Sequence, residues 1–140
     1  MAEQSAGPVP GPASGIARAS FDPDGVLHLV LEHRLELDAV QAQGAVDLVN
    51  ERAGGRRVPV LVDITGLVSV DRGLRRVMSQ RSAAAAVGLV GASSVERVLA
   101  NFVISVSNVP CPIQYFRSEE QARAWLLQVT RDVEDADRGA

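Results

Sequence analysis

Near the middle of the chain, Val60-Leu61-Val62 is an unbroken apolar run set between Pro59 and Asp63. A strand with one wet face alternates polar and apolar residues; a short run without alternation fits a strand covered on both faces. Such strands belong to parallel sheets, whose neighbours are joined by crossovers long enough to hold a helix. The flanking segments supply that alternation. Residues 16–21 and 26–31 read as strands joined by Asp22-Pro23-Asp24-Gly25, where Pro sets φ and Gly allows positive φ, so they predict an antiparallel hairpin. Asp38 caps a first helix, with Val40, Ala45 or Val46, and Val49 as its buried stripe and Gly54-Gly55 as its stop. Residues 58–64 are the covered strand.

Ser69 then reads as the N-cap of a second helix, with Val70, Leu74, Val77 and Met78 on one face and Arg72, Arg75, Arg76 and Ser79 on another. Residues 86–90 form a further strand. Ser93 with Glu96 makes a capping box for a third helix carrying Val95, Val98, Leu99, Phe102 and Val106. Residues 113–116 are the last strand. Ser118 with Gln121 opens a fourth helix, in which Ala122, Trp125, Leu126 and Val129 recur at i, i+3, i+4 and i+7. The order predicts an α/β fold: a four- to five-stranded, mostly parallel sheet with an antiparallel edge strand, packed by about four helices through right-handed crossovers.

With 140 residues the chain has room for one domain. Residues 1–15 are rich in Pro, Gly, Ala and Ser and are expected to be a disordered tail, residues 16–131 the domain, and residues 132–140 a flexible acidic C-terminus. Hydrophobic residues make up 46% but aromatics only 4%, so Val, Leu, Ile and Ala must build the core. A net charge of −3 argues against a nucleic-acid binder. One cysteine excludes an intrachain disulfide and a tetrathiolate zinc site. His28 and His33, five apart on extended chain, point to different faces and make no metal pair. There is no lysine for a phosphate loop, no Gly-x-Gly-x-x-Gly, and no nucleophile beside a base. The expectation is a non-enzyme with no cofactor and no metal. The longest uncharged stretch, residues 98–116, is broken by Asn101, Ser105, Asn108, Pro110 and Pro112, so no membrane span is expected and the protein reads as cytoplasmic.

Three segments, in this order, carry a resemblance: Val60-Leu61-Val62-Asp63-Ile64-Thr65-Gly66, Ala100-Asn101-Phe102, and Pro112-Ile113-Gln114-Tyr115-Phe116 followed by the Ala-x-x-Trp-Leu helix at residues 122–126. Over residues 21–129 the chain resembles the STAS domain of bacterial anti-sigma-factor antagonists, above all the divergent STAS-like proteins of unknown function related to the CRAL-TRIO lipid-binding group. The resemblance implies a bacterial signalling module that works by protein–protein contact with an anti-sigma factor, a kinase or another regulator. In the regulatory branch a serine at the start of the second helix, within Asp-Ser-Ser-Gly-Leu, is phosphorylated. Here Asp71 falls on the Asp, while Arg72 and Gly73 fall on the two serines, so the usual switch residue is missing. Ser69 is the displaced candidate phosphosite.

The partner-binding candidates are therefore Asp63, Thr65, Ser69, Asp71, Arg72, Arg75 and Arg76. Asp63 ends a covered strand at the edge where open α/β sheets bind ligands, although a carboxylate there also serves as a local backbone cap. The arginines form a stripe whose planar forks suit carboxylate or phosphate, and equally suit a solvated helix face. The alternative function is binding of a small apolar or lipid-like molecule, with Leu99, Phe102, Val103 and Trp125 as the candidate pocket; the same residues also read as plain core. Cys111, between two prolines, has no obvious activating partner. A homodimer is compatible with both readings.

Overall fold

The computed structural model describes residues 15–139. The predicted tail therefore lies outside the described residues apart from Gly15, which is buried and whose carbonyl accepts the Glu32 N–H. Strand β1 (Ile16–Phe21) pairs antiparallel with β2 (Leu27–Leu31) across the predicted turn. There Asp22 Oδ1 accepts the N–H groups of Asp24 and Val26. Parallel strands β4 (Val58–Asp63), β6 (Ala84–Val90) and β7 (Ile113–Phe116) complete a five-stranded sheet of order β1-β2-β4-β6-β7. The described residues are thus α/β with a mostly parallel sheet, one antiparallel edge pair and four helices, as the alternation of patterns predicts.

Helices α1 (Ala39–Ala53), α2 (Leu74–Met78) and α3 (Ser94–Val106) cover one face, over Leu27, Leu29, Leu31, Val60, Val87 and Leu89. Helix α4 (Glu119–Gly139) covers the other, over Leu61, Ala86 and Val90. Alternation along each strand decides this partition, because consecutive residues point to opposite faces. Gly88 lets α4 come close: a Cβ there would stand 3.3 Å from Leu126 Cδ1. α4 runs on through the acidic segment that begins at residue 132.

The capping devices read from the sequence are present at α1, where Asp38 and Gln41 bond reciprocally, and at α3, where Ser93 and Glu96 do so. The second helix differs. Ser69 and Val70 form a two-residue strand, β5 (Ser69–Val70), paired with β3 (Glu36–Leu37). Ser69 is therefore not an N-cap. The carbonyls of Leu35 and Leu37 accept the N–H groups of Val68 and Asp71, which holds the segment extended, and the helix begins only after Gly73. Val40 is corrected as well: it is 68% exposed, and α1 buries Ala42, Val49 and Ala53 instead.

Candidate functional site

At the carboxyl ends of the parallel strands, the loop after β4 is built rigidly. Asp63 Oδ1 accepts the Thr65 N–H at 2.9 Å, which closes a local turn. Gly66 adopts φ +88°, and a Cβ there would collide with the His33 ring, so only glycine fits. Its N–H donates to Glu96 Oε2 at 2.8 Å. The other Glu96 oxygen accepts the N–H groups of Ala92 and Ser93. Glu96 is only 6% exposed. Burial pushes its carboxyl upward, but the backbone donors of Gly66, Ala92 and Ser93 outweigh burial and hold it below its ordinary value. One carboxylate thus pins the β4–β5 loop to the start of α3.

Beyond that loop, the predicted partner residues spread along one route. Thr65 is exposed, Ser69 is half-buried within β5, and Asp71 turns the chain by accepting the Gly73 N–H at Oδ2. Arg72 precedes α2, and Arg75 and Arg76 lie on it; all three are exposed, with no carboxylate partner among the described residues. The structure brings these three together on α2 and its approach. Since Ser69 sits in a strand ladder, the helix-start argument for phosphorylating it does not apply.

The four residues read as a pocket are not brought together. Trp125 lies on the α4 face, 5.4 Å from Phe116 between ring centroids. Val103 is on the opposite face, between α1 and α2. Leu99 is half-buried, and Phe102 is 45% exposed. Helix α3 in fact carries two apolar rows. Ala100 and Val103, with the carboxylate of Glu96, face inward, while Val95, Val98, Phe102 and Val106 face solvent at 57%, 62%, 45% and 37% exposure.

A cavity of about 470 Å³ does lie between the sheet and α1, α2 and α3, but of the four candidate residues only Val103 lines it, and sequence reasoning missed the rest of its lining. Its size falls in the range of about 300–1,000 Å³ usual for small-molecule sites. Val60, Val62 and Leu89 form its floor and Leu74, Val77 and Val103 part of its roof. Ala42, Ala45 and Ala84 line it too, and small side chains at facing positions leave volume that Leu would fill. The small residues Ala42, Gly44 and Ala45 and the four alanines at 83–86 were the available signals. The cavity runs along the strands to their amino ends, where Arg57, Gln80 and Arg81 are exposed and Ser82, Val109, Pro110 and Cys111 also line it. Burial pushes the Cys111 thiol up, against the opposing pull of Arg57. Gln80 donates to Gln43 at 2.6 Å and Ser79 Oγ accepts the Asn108 N–H, so α2 is tied to α1 and to the end of α3 over the cavity.

A second polar cluster joins the hairpin to α4. Arg123 Nε donates to Asp22 Oδ2 at 2.7 Å, a second Arg123 nitrogen contacts Asp24, and His28 Nε2 lies 3.0 Å from Asp22 Oδ2. Burial raises the Asp22 carboxyl, but the bonds from Arg123, Val26, His28 and Asp24 together lower it to about 2. This cluster is a clamp. Among the described residues no three His, Cys, Asp or Glu side chains are placed to hold a metal ion, and no helix is long and apolar enough to cross a membrane.

Residues 20–130 match the family described as domain of unknown function DUF7793, and the chain belongs to that family. Among solved structures it is similar to an uncharacterised protein of the DUF3478 family from Shewanella loihica PV-4, described as having a SpoIIAA-like fold. The TM-score is 0.56 at 16% identity, covering 80% of this chain and 94% of that one. The likeness establishes a SpoIIAA-like, that is STAS-like, fold. A protein of unknown function from Arthrobacter sp. FB24 is 37% identical over 78% of this chain and 97% of its own, with a TM-score of 0.33. No curated protein matches.

Proposed function

We propose that this DUF7793 chain is a non-enzymatic regulatory module of the bacterial cytoplasm that acts by binding another protein through α2 and the outer row of α3. The observation that carries the proposal is that outer row. Val95, Val98, Phe102 and Val106 recur every three or four residues, so they make one continuous apolar strip on the solvent side of α3. α3 contacts α2, whose exposed Arg75 and Arg76, with Arg72 just before it, add positive charge on the same face of the sheet. An apolar strip beside unpaired guanidiniums suits a partner with an apolar ridge and an acidic rim. An anti-sigma or kinase-like regulator is the partner class suggested by the STAS-like fold. The pinned β4–β5 loop would hold the edge of that surface in one shape. A photo-reactive amino acid placed at Phe102 or Arg75, in cells of the source organism, tests this. Adducts with one protein at both positions and none at Trp125 support the reading; no adduct at either position, or equal labelling at Trp125, contradicts it. Light scattering of the purified chain shows whether that protein is a second copy of this one.

The cavity favours a second reading, binding of a small apolar molecule under α2. Native mass spectrometry of freshly purified protein, with and without Ala45→Phe to fill the space, tests it directly.

A further inference from the structure

The cavity has two chemically different ends. Near the carboxyl ends of the strands its lining is the apolar Leu31, Leu37 and Ile64; near their amino ends it includes the exposed Arg57 and Arg81. Neither guanidinium has an ion-pair partner among the described residues. Cys111 stands at the same end, and its raised pKa keeps the thiol neutral near pH 7, so it is wall rather than a competing anion. An apolar interior that ends in two positive, multi-donor forks complements a molecule with an apolar chain and one anionic head. A cationic head meets repulsion there, and a neutral head leaves both forks unmatched. We infer that the cavity takes a single-chain amphiphile whose chain lies along Val60, Val62 and Leu89 and whose carboxylate or phosphate is held at Arg57 and Arg81. This rests on the second reading above, and it adds the charge and orientation of the ligand.

The test uses the full chain and the neutral fluorescent apolar probe N-phenyl-1-naphthylamine, displaced by dodecanoate, dodecyl phosphate, dodecanol or dodecyltrimethylammonium. The expected result is displacement by dodecanoate or dodecyl phosphate at a concentration about tenfold or more below that of dodecanol, with the ammonium weakest. The tighter of the two anions identifies the head. In Arg57→Gln/Arg81→Gln, both exposed and outside the core, the preference for anions collapses while dodecanol is unchanged. Equal displacement by anion and alcohol, or a preference that survives the double substitution, overturns the inference and leaves the apolar-site reading standing. A probe that does not bind, or that binds Ala45→Phe as well as the native chain, overturns both. Should circular dichroism show Ala45→Phe unfolded, Met78→Trp fills the cavity from α2 instead.

Discussion

On one side of the sheet, Gly88 draws α4 in until Leu126 and Ala122 are completely buried against Leu61, Ala86 and Val90. On the other side, Ala42, Ala45 and Ala84 stand back from one another and leave about 470 Å³ under a five-residue helix. The first face gives up side-chain volume to gain contact; the second gives up contact to keep volume. A small domain has a net stability of only about 5–15 kcal/mol, so a loosely filled layer must be offset by a tightly packed one. The α4 face is the more closely packed, while the α1–α3 face, which also holds the larger buried cluster, carries the cavity, the exposed arginines and the solvent-facing apolar row.

Breaking the packed face should have the largest effect. Leu126→Ala removes a side chain with no exposed surface and is expected to cost about 2–5 kcal/mol in urea unfolding. A loss below about 1 kcal/mol would mean that the face relaxes and the contrast is overstated. A paired measurement sharpens the comparison by adding carbon to each face. Gly88→Val pushes against Leu126 and is expected to cost about 1–3 kcal/mol. Ala45→Leu enters the cavity and is expected to be neutral or to stabilise by about 0.5–2 kcal/mol.

A smaller effect ties the packed face to pH. Asp22 is held at about 2 when folded, against 3.8 ordinarily, so the clamp to Arg123 contributes fully above pH 3.8 and is lost as pH falls through about 2. The unfolded chain binds the proton first, so stability falls with acidification across that window. Solvent screening around the solvent-accessible Arg123 guanidinium keeps this effect below that of the packing substitutions. Asp22→Asn should flatten that part of the pH–stability curve. Smallest of all, Arg72→Glu/Arg75→Glu is expected to change stability by no more than about 0.5 kcal/mol while reducing the partner adduct formed from a photo-reactive residue at Phe102.

Much of this architecture is legible in the sequence because patterns of period two and 3.6 report which residues share a face. The hairpin, the Asp38 N-cap, the Ser93–Glu96 capping box and the Ala122–Leu126 stripe follow from local patterns, while sequence reasoning missed the Gln41 half of the α1 box. Periodicity does not report which face meets the sheet. On α3 the more apolar row, Val95, Val98 and Phe102, invites burial, yet the inward row contains Glu96, buried because backbone N–H groups satisfy it. Ser69 was misread for a related reason. A two-residue ladder has no period, and the bonds that hold it, from the Val68 and Asp71 N–H groups to the Leu35 and Leu37 carbonyls, join segments far apart in the sequence. Trp125 and Val103 look alike in composition but lie on opposite sides of the sheet, a separation set by strand order. The cavity is legible only as missing volume, alanines where leucines would pack.

Native-state hydrogen exchange reads the asymmetry most directly, since it measures the opening free energy of each helix in the same molecule. Helix α2 has two buried residues and no side-chain cap, whereas α4 anchors Ala122 and Leu126 against the sheet. The amides of Leu74–Met78 that bond within α2 should exchange by local opening at least about a hundredfold faster than those around Leu126, which should open only with global unfolding. Equal protection of the two helices would contradict the division of the molecule into a closely packed face and a loosely filled one.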